Sequence, residues 1–307
     1  MAAGAAPSVR KQRLGVALRR LREGRGLSAD TAGRRLGWSA SKVSRIEGAR
    51  IGVDLADLRA MLRLYGADAH LGEELLVLAR EAARNGWWTK YPESQLGGLG
   101  AFIALEDEAS SIFAFEADTV PGLLQTEEYA RQLFLGYVEI ASRPRAEVER
   151  RLEIRLRRQR LIRPPERLSL CVVLDEAVLL RRVGTASTMS RQLLHLVELA
   201  DLPSVTLRVL ALDADHGAGL SSFILLEFEP AYGVEFPSVV HVESTESMHA
   251  QDEARVHEYG LFRRWLADHS LGERDSVAAI LEAQEQWARK GRDALPAGDD
   301  GALHAPR

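Results

Sequence analysis

The stretch SADTAGRRLGWSASKVSRIE, residues 28–47, constrains the fold more than any other part of the chain. It reads as two short helices joined at a glycine. Ser28 can cap the first, its hydroxyl accepting a bond from an N–H that a helix start leaves unpaired. Ala32, Gly33 and Leu36 then fall on one buried face. Gly37 stands where that helix must stop and reverse, a position that favours φ > 0 and therefore no Cβ. Ser39 can cap the second helix, with Val43 and Ile46 pointing back at Leu36. Ala40, Ser41, Lys42 and Arg45 are left facing outward. Small residues that let a helix approach closely, beside two cations able to reach guanine or phosphate, suit a helix lying in the major groove of double-stranded DNA. The plain alternative is an ordinary αα-hairpin.

Charge distribution weighs against that alternative. The net charge of −4 hides a basic start, with twelve Lys/Arg against three Asp/Glu in residues 1–53, and an acidic remainder, with 28 against 41 in residues 54–307. A net +9 segment joined to a net −13 body is the pattern of a phosphate-binding head carried by a body with another partner. At 307 residues and 46% apolar content, the chain can build two cores. Its one cysteine, Cys171, lies in an apolar run, which excludes a disulfide framework and a thiolate metal site. No cofactor is expected. No apolar run reaches transmembrane length, and the start MAAGAAPSVRKQR lacks the order of a signal peptide. A cytoplasmic, nucleoid-associated protein with no membrane partner is the expectation.

Periodicity and punctuation divide the chain further. Residues 1–11 read as a disordered arm, and five short helices within 12–84 form an all-α domain. Residues 85–104 read as a linker that contains Trp87, Trp88 and Tyr91, three aromatics more suited to docking than to a free tether. A body follows over 105–290. Its helices are placed at about 101–110, 126–137, 145–163, 187–200, 250–268 and 273–290, and Pro164–Pro165 ends the third of these. Strands are placed at 111–117, 168–174, 205–210, 223–228 and 239–242. The tail 291–307 is rich in Gly, Pro and Ala and reads as disordered. The class is α+β, a five-helix domain followed by a helical body with a small mixed sheet.

Residues 12–66 resemble the Xre family of bacterial helix-turn-helix proteins, through the small residue Gly33, the turn glycine Gly37, Val43 with Ile46, and the run SKVSRIEGAR. Alanine is commoner at the position of Gly33, which costs the helix up to about 1 kcal/mol but permits close crossing. The resemblance makes residues 40–47 the recognition helix. Ser39, Ala40, Ser41, Lys42 and Arg45 become groove candidates, with Arg45 set for a bidentate guanine contact. Ser28, Arg34, Arg35 and Arg50 become phosphate contacts. Glu47 is structural, since an unpaired carboxylate facing DNA would be repelled, and Arg19 or Arg22 is its partner. One such head makes few contacts, so a homodimer reading half-sites roughly 34 Å apart is expected.

Residues about 105–285 resemble the uncharacterised C-terminal domain of WhiJ-like regulators, through VPGLLQTEEYAR, RLEIRLRRQRLI, LDEAVLLRRVG, RQLLHLVELADLPSVTLRVLAL, FILLEF and VVHVES. His241 stands where those relatives often carry tyrosine. The resemblance implies an antitoxin-like arrangement with a small partner protein. From the residues alone, Leu123 and Leu124 could offer that partner an apolar loop, or could equally belong to the core with Thr126 capping a helix. Arg155 and Arg158, on a helix with eight arginines and three glutamates, could grip an acidic partner or form a solvated face of internal pairs. Two further readings of the body stay open: a small-molecule sensor, and an enzyme using Asp175, Glu176, Asp213, Asp215, His216, His241 or Glu243. Without GxSxG, HExxH, a P-loop or GxGxxG, the sequence favours no catalysis.

Overall fold

The computed structural model describes residues 8–83, 86–91, 96, 99–142, 144–163, 168–216, 220–231, 235–242, 248–250 and 252–293. Among them the chain is mostly helical, with twelve α-helices and one mixed sheet of six strands, so the α+β class holds. Five helices come first: α1 (Val9–Gly24), α2 (Ala29–Leu36), α3 (Ala40–Glu47), α4 (Leu55–Tyr65) and α5 (Ala69–Ala83). Helix α1 takes in Val9–Lys11, residues the sequence assigned to an arm. Ser8 caps it, accepting from the Lys11 N–H at 3.4 Å, and Val9 is buried, so a cap and an apolar anchor extend the helix. Residues 1–7 lie outside the described ones.

Within the expected linker, Trp87–Lys90 forms a 3-10 turn whose Trp87 ring meets Trp88 and Tyr91 edge to face, at 5.9 and 6.3 Å between centroids. Tyr91 is buried and helix α6 (Gly100–Glu106) already begins inside the linker range, while residues 85, 92–95, 97 and 98 lie outside the described ones. The chain continues as β1 (Ser111–Glu116), α7 (Glu127–Ile140), α8 (Ala146–Arg158), β2 (Ser169–Asp175), α9 (Glu176–Leu180), α10 (Ala186–Ala200) and β3 (Val205–Leu210). Then come β4 (Phe223–Glu227), β5 (Val239–Val242), β6 (Met248–Ala250), α11 (Glu253–His269) and α12 (Glu273–Asp293). Helix α12 runs through Gly291 into the expected tail, since one glycine lowers helix stability by only about 1 kcal/mol. Residues 294–307 and the Pro164–Pro165 stop lie outside the described residues.

Strand order is β3-β2-β1-β4-β5-β6. Strands β4, β5 and β6 form an antiparallel meander with Ile224 opposite His241 and Val240 opposite Ala250. The sixth strand was not expected. Its residues, MHA, carry no β-branched side chain, and pairing with β5 places them.

The chain divides into two compact units, Met1–Ala114 with Arg160–Leu170 and Phe223–Arg264, and Phe115–Gln159 with Cys171–Ser222 and Trp265–Arg307. In the first, Leu18, Val43, Leu58, Met61, Tyr65 and Leu75 centre the helical core. The Arg10 guanidinium lies 3.9 Å from Glu81 and from Glu108, and Arg13 donates to the Glu229 carbonyl at 2.5 Å. In the second, α10 lies along α12. Trp287 donates to the Leu179 carbonyl at 2.8 Å and Gln284 to Ser190 at 2.9 Å. Arg208 donates to the carbonyls of Ala267, Ser270 and Leu271, closing the end of α11.

Burial pushes the Glu108 carboxyl up to about 7, against the opposing pull of Arg10 and Arg13. The folded chain therefore holds this proton more tightly than the unfolded chain, whose carboxyl titrates near 4.5. Stability falls as pH rises from the lower value through the higher, by about 3 kcal/mol in all. Urea unfolding across that pH range should show the slope, and Glu108→Gln should remove it.

Candidate nucleic-acid interface

The turn between α2 and α3 is built from glycine geometry. Gly37 adopts φ 72°, ψ 26°, its N–H bonding to the Arg34 carbonyl while the Trp38 N–H returns to Gly33 at 2.8 Å. This paired closure ends α2 and aims the chain into α3. Ser28 caps α2 through the Thr31 N–H, and Ser39 caps α3 through the Lys42 N–H, both at 3.1 Å. Gly33 is explained by the crossing: a Cβ there would sit 2.9 Å from the Trp38 carbonyl oxygen and 3.1 Å from the Ala40 nitrogen. Ala32, Val43 and Ile46 are buried, with Leu36 packed against them.

Glu47 lies buried at the end of α3 and takes a two-pronged bond from Arg22, at 2.8 and 2.9 Å, with the Tyr65 hydroxyl donating at 3.3 Å. Of the two partners left open, the structure selects Arg22; Arg19 pairs with Glu23 instead. The Glu47 bond holds the Arg22 guanidinium above its ordinary pKa, and burial pushes the Tyr65 phenol up. Gly15 was given no role by periodicity, yet it permits α1 to cross this point. A Cβ on it would lie 2.3 Å from the Glu47 carbonyl oxygen.

The expected contact residues separate into groups. Arg35, Arg45 and Arg50 are exposed, and their side chains have no ion-pair or hydrogen-bond partner among the described residues. Ser41 is exposed, Ala40 half-buried, and the hydroxyls of Ser28 and Ser39 serve the caps. Arg34 is exposed but paired with Asp30 one turn earlier, a surface pair weak enough to exchange for phosphate. Lys42 departs from expectation. Its ammonium does not face outward; it lies 2.5 Å from Asp57 of α4 and 3.9 Å from the centroid of the Trp38 ring. Ser44, not among the expected contacts, is exposed three residues after Ser41 and so shares its side of α3.

Residues 13–75 match a family described as a helix-turn-helix domain. Residues 99–282, more than half of the chain, match the family described as a domain of unknown function, DUF5753. The chain belongs to the DUF5753 family. It carries a helix-turn-helix domain at its N-terminal end. No curated protein and no solved structure gives a significant match. Among the described residues no helix is long and apolar enough to cross a membrane.

Inside the matched DUF5753 region, the residues expected to meet a partner are held by the fold. Leu123 and Leu124 are buried, correcting the idea of an apolar surface loop, and Thr126 caps α7. Three buried glutamines clamp this loop. Gln125 donates to Val120, Gln159 to Gly122 and to the Gln125 carbonyl, and Gln192 to Leu124, while Gln192 also accepts from the Thr126 N–H. Arg155 donates to the Gln125 side chain at 2.9 Å and stacks over Phe134, and Arg158 is buried. Neither is displayed for an acidic partner. A polar backbone loop sunk among helices must be satisfied internally, which is what these side chains do.

Asp175 and His216 do approach one another, while Glu176 turns to the backbone after β3. Asp175 caps α9 through the Ala177 N–H at 2.8 Å and lies 3.6 Å from His216, while Glu176 accepts from the Leu212 N–H at 2.8 Å. The second ring nitrogen of His216 meets the Ala211 carbonyl at 3.0 Å. Together they fasten the segment after β3 to the start of α9. Asp213 is exposed, and His241 is buried against Phe102 at 4.3 Å between ring centroids. Glu243 lies outside the described residues.

Proposed function

We propose that this protein is a sequence-specific DNA-binding transcriptional regulator of Xre type. It acts as a homodimer, with residues 12–84 on DNA and residues 105–290 receiving the signal that governs binding. The observation that carries the reading is the set of three exposed arginines, Arg35, Arg45 and Arg50, unpaired among the described residues, on α2, on α3 and in the turn that follows. Solvated cations left without carboxylate partners, beside the small exposed side chain of Ser41, suit phosphate and base-edge contact. Arg45 reads guanine from the groove; Arg35 and Arg50 set register on phosphate. The reading contains no catalytic step. A small partner protein is the signal that the resemblance to WhiJ-like regulators favours, and it would use a surface other than Leu123 and Leu124.

Selection of bound duplexes from a random pool, followed by titration, tests the DNA half. Arg45→Ala should lose discrimination at one base pair, worth about 1–3 kcal/mol. Arg35→Ala should weaken all sequences alike and flatten the salt dependence by about 0.9 in log–log slope. Selected-site binding by Arg45→Ala equal to that of the parent would end the groove assignment. A footprint covering two half-sites, with sedimentation at the mass of two chains, tests the dimer. Co-purification with the product of an adjacent small reading frame tests the partner.

A further inference from the structure

Among the five helices, Lys42 is the cation whose position is least expected on a DNA-reading helix. It sits in the first turn of α3, the end that approaches base edges in such helices, yet its ammonium is turned onto Asp57 at 2.5 Å and over the face of Trp38 at 3.9 Å. The side chains of the pair are 34% and 25% exposed, so the contact is partly sheltered from solvent. Asp57 is itself fixed: it lies in the first turn of α4, and its N–H bonds to the Asp54 cap at 2.8 Å. Moving Lys42 onto a phosphate would exchange one charged partner for another, give up the indole face, and leave an uncompensated carboxylate beside the polyanion.

We propose that Asp57, with Trp38, is a specificity-determining residue that holds Lys42 off the DNA backbone. This rests on the DNA-binding reading above and refines it. Sequestering Lys42 lowers the number of cations that neutralise phosphate without reading sequence. That number sets non-specific affinity and its salt dependence, so Asp57 raises the ratio of selective to non-selective binding. It also ties the start of α3 to the start of α4, which keeps Arg45 and Ser41 at a constant height over the groove.

The test titrates the full chain with a random-sequence duplex over a series of salt concentrations. Asp57→Asn should release Lys42, steepen the log–log salt slope by about 0.9 and tighten random-duplex binding roughly fivefold to tenfold at low salt. Lys42→Met should leave the parent slope unchanged, and Asp57→Asn with Lys42→Met should return the slope to the parent value. A fall of about one unit in slope for Lys42→Met alone would mean that Lys42 already contacts phosphate, and would overturn the proposal while leaving DNA binding intact. An unchanged slope in a folded Asp57→Asn protein would overturn it as well. Failure of the parent itself to bind any duplex would instead remove the DNA-binding reading, and this proposal with it. Should Asp57→Asn not fold, the Lys42→Met slope alone decides.

Discussion

Glu47→Ala should destabilise the helical domain by about 3 kcal/mol, because it leaves the buried Arg22 guanidinium with only the half-exposed Glu23 carboxylate, 3.4 Å away, as counter-charge. Arg22 and Glu47 are 7% and 8% exposed, and both carboxylate oxygens are engaged. The Leu27 carbonyl, which accepts from Arg22 at 2.6 Å, would remain as a partner but carries no formal charge. Arg22→Ala should cost a similar amount for the mirror reason. Removing both charges together with an apolar pair of like volume should restore most of the loss, since the penalty belongs to the unpaired ion. Unfolding in urea, followed by helical circular dichroism, reads all three variants. A single variant as stable as the parent would show that the pair contributes nothing. Loss of the pair should also free the end of α3, so duplex affinity should fall before the domain unfolds.

Gly15→Ala should be strongly damaging. The new Cβ would lie 2.3 Å from the Glu47 carbonyl oxygen, 2.9 Å from its carbon and 3.2 Å from the Ile46 oxygen, all of them backbone atoms. A side chain could rotate away; a helix end cannot. Either α1 withdraws from α3 and opens the core around Leu14, Leu18 and Ile46, or α3 unwinds its last turn. Overpacking costs about 1–3 kcal/mol, and the upper end applies where backbone must move, against a helix-propensity gain of about 1 kcal/mol. The control is Gly72→Ala in α5, where a Cβ meets nothing within 4 Å and only that gain should appear. Thermal unfolding of the two variants should therefore shift in opposite directions.

Much of the fold was legible because it depends on short-range signals. Gly37 must take a left-handed conformation to reverse the chain, and it does, at φ 72°. The strands at 205–210 and 239–242 coincide with β3 and β5, whose apolar runs are bounded by turn residues. Missing from such signals were β6, formed by pairing rather than propensity, and the start of α1, where a serine cap recruits residues that otherwise look like an arm.

The candidate site divides along the same line. Arg35, Arg45 and Arg50 could be named from type and position, because an exposed cation on a short helix or in the turn after it needs nothing distant to expose it. Lys42 could not, since Asp57 lies fifteen residues further on, on another helix. Leu123 and Leu124 read as well for a surface as for a core until the buried Gln125, Gln159 and Gln192 were found to hold their loop inside.

By itself, then, the sequence of residues 28–47 determined two capped helices, the reversing turn at Gly37 and the buried face of Ala32, Val43 and Ile46. These follow from capping, φ preference and periodicity, all of which act within a few residues. Only the tertiary structure decided which arginine neutralises Glu47, why residue 15 must lack a Cβ, and which cations remain available for DNA. Those depend on side chains and backbone that meet from distant parts of the chain, where charge pairing and steric exclusion act at separations that no local pattern encodes.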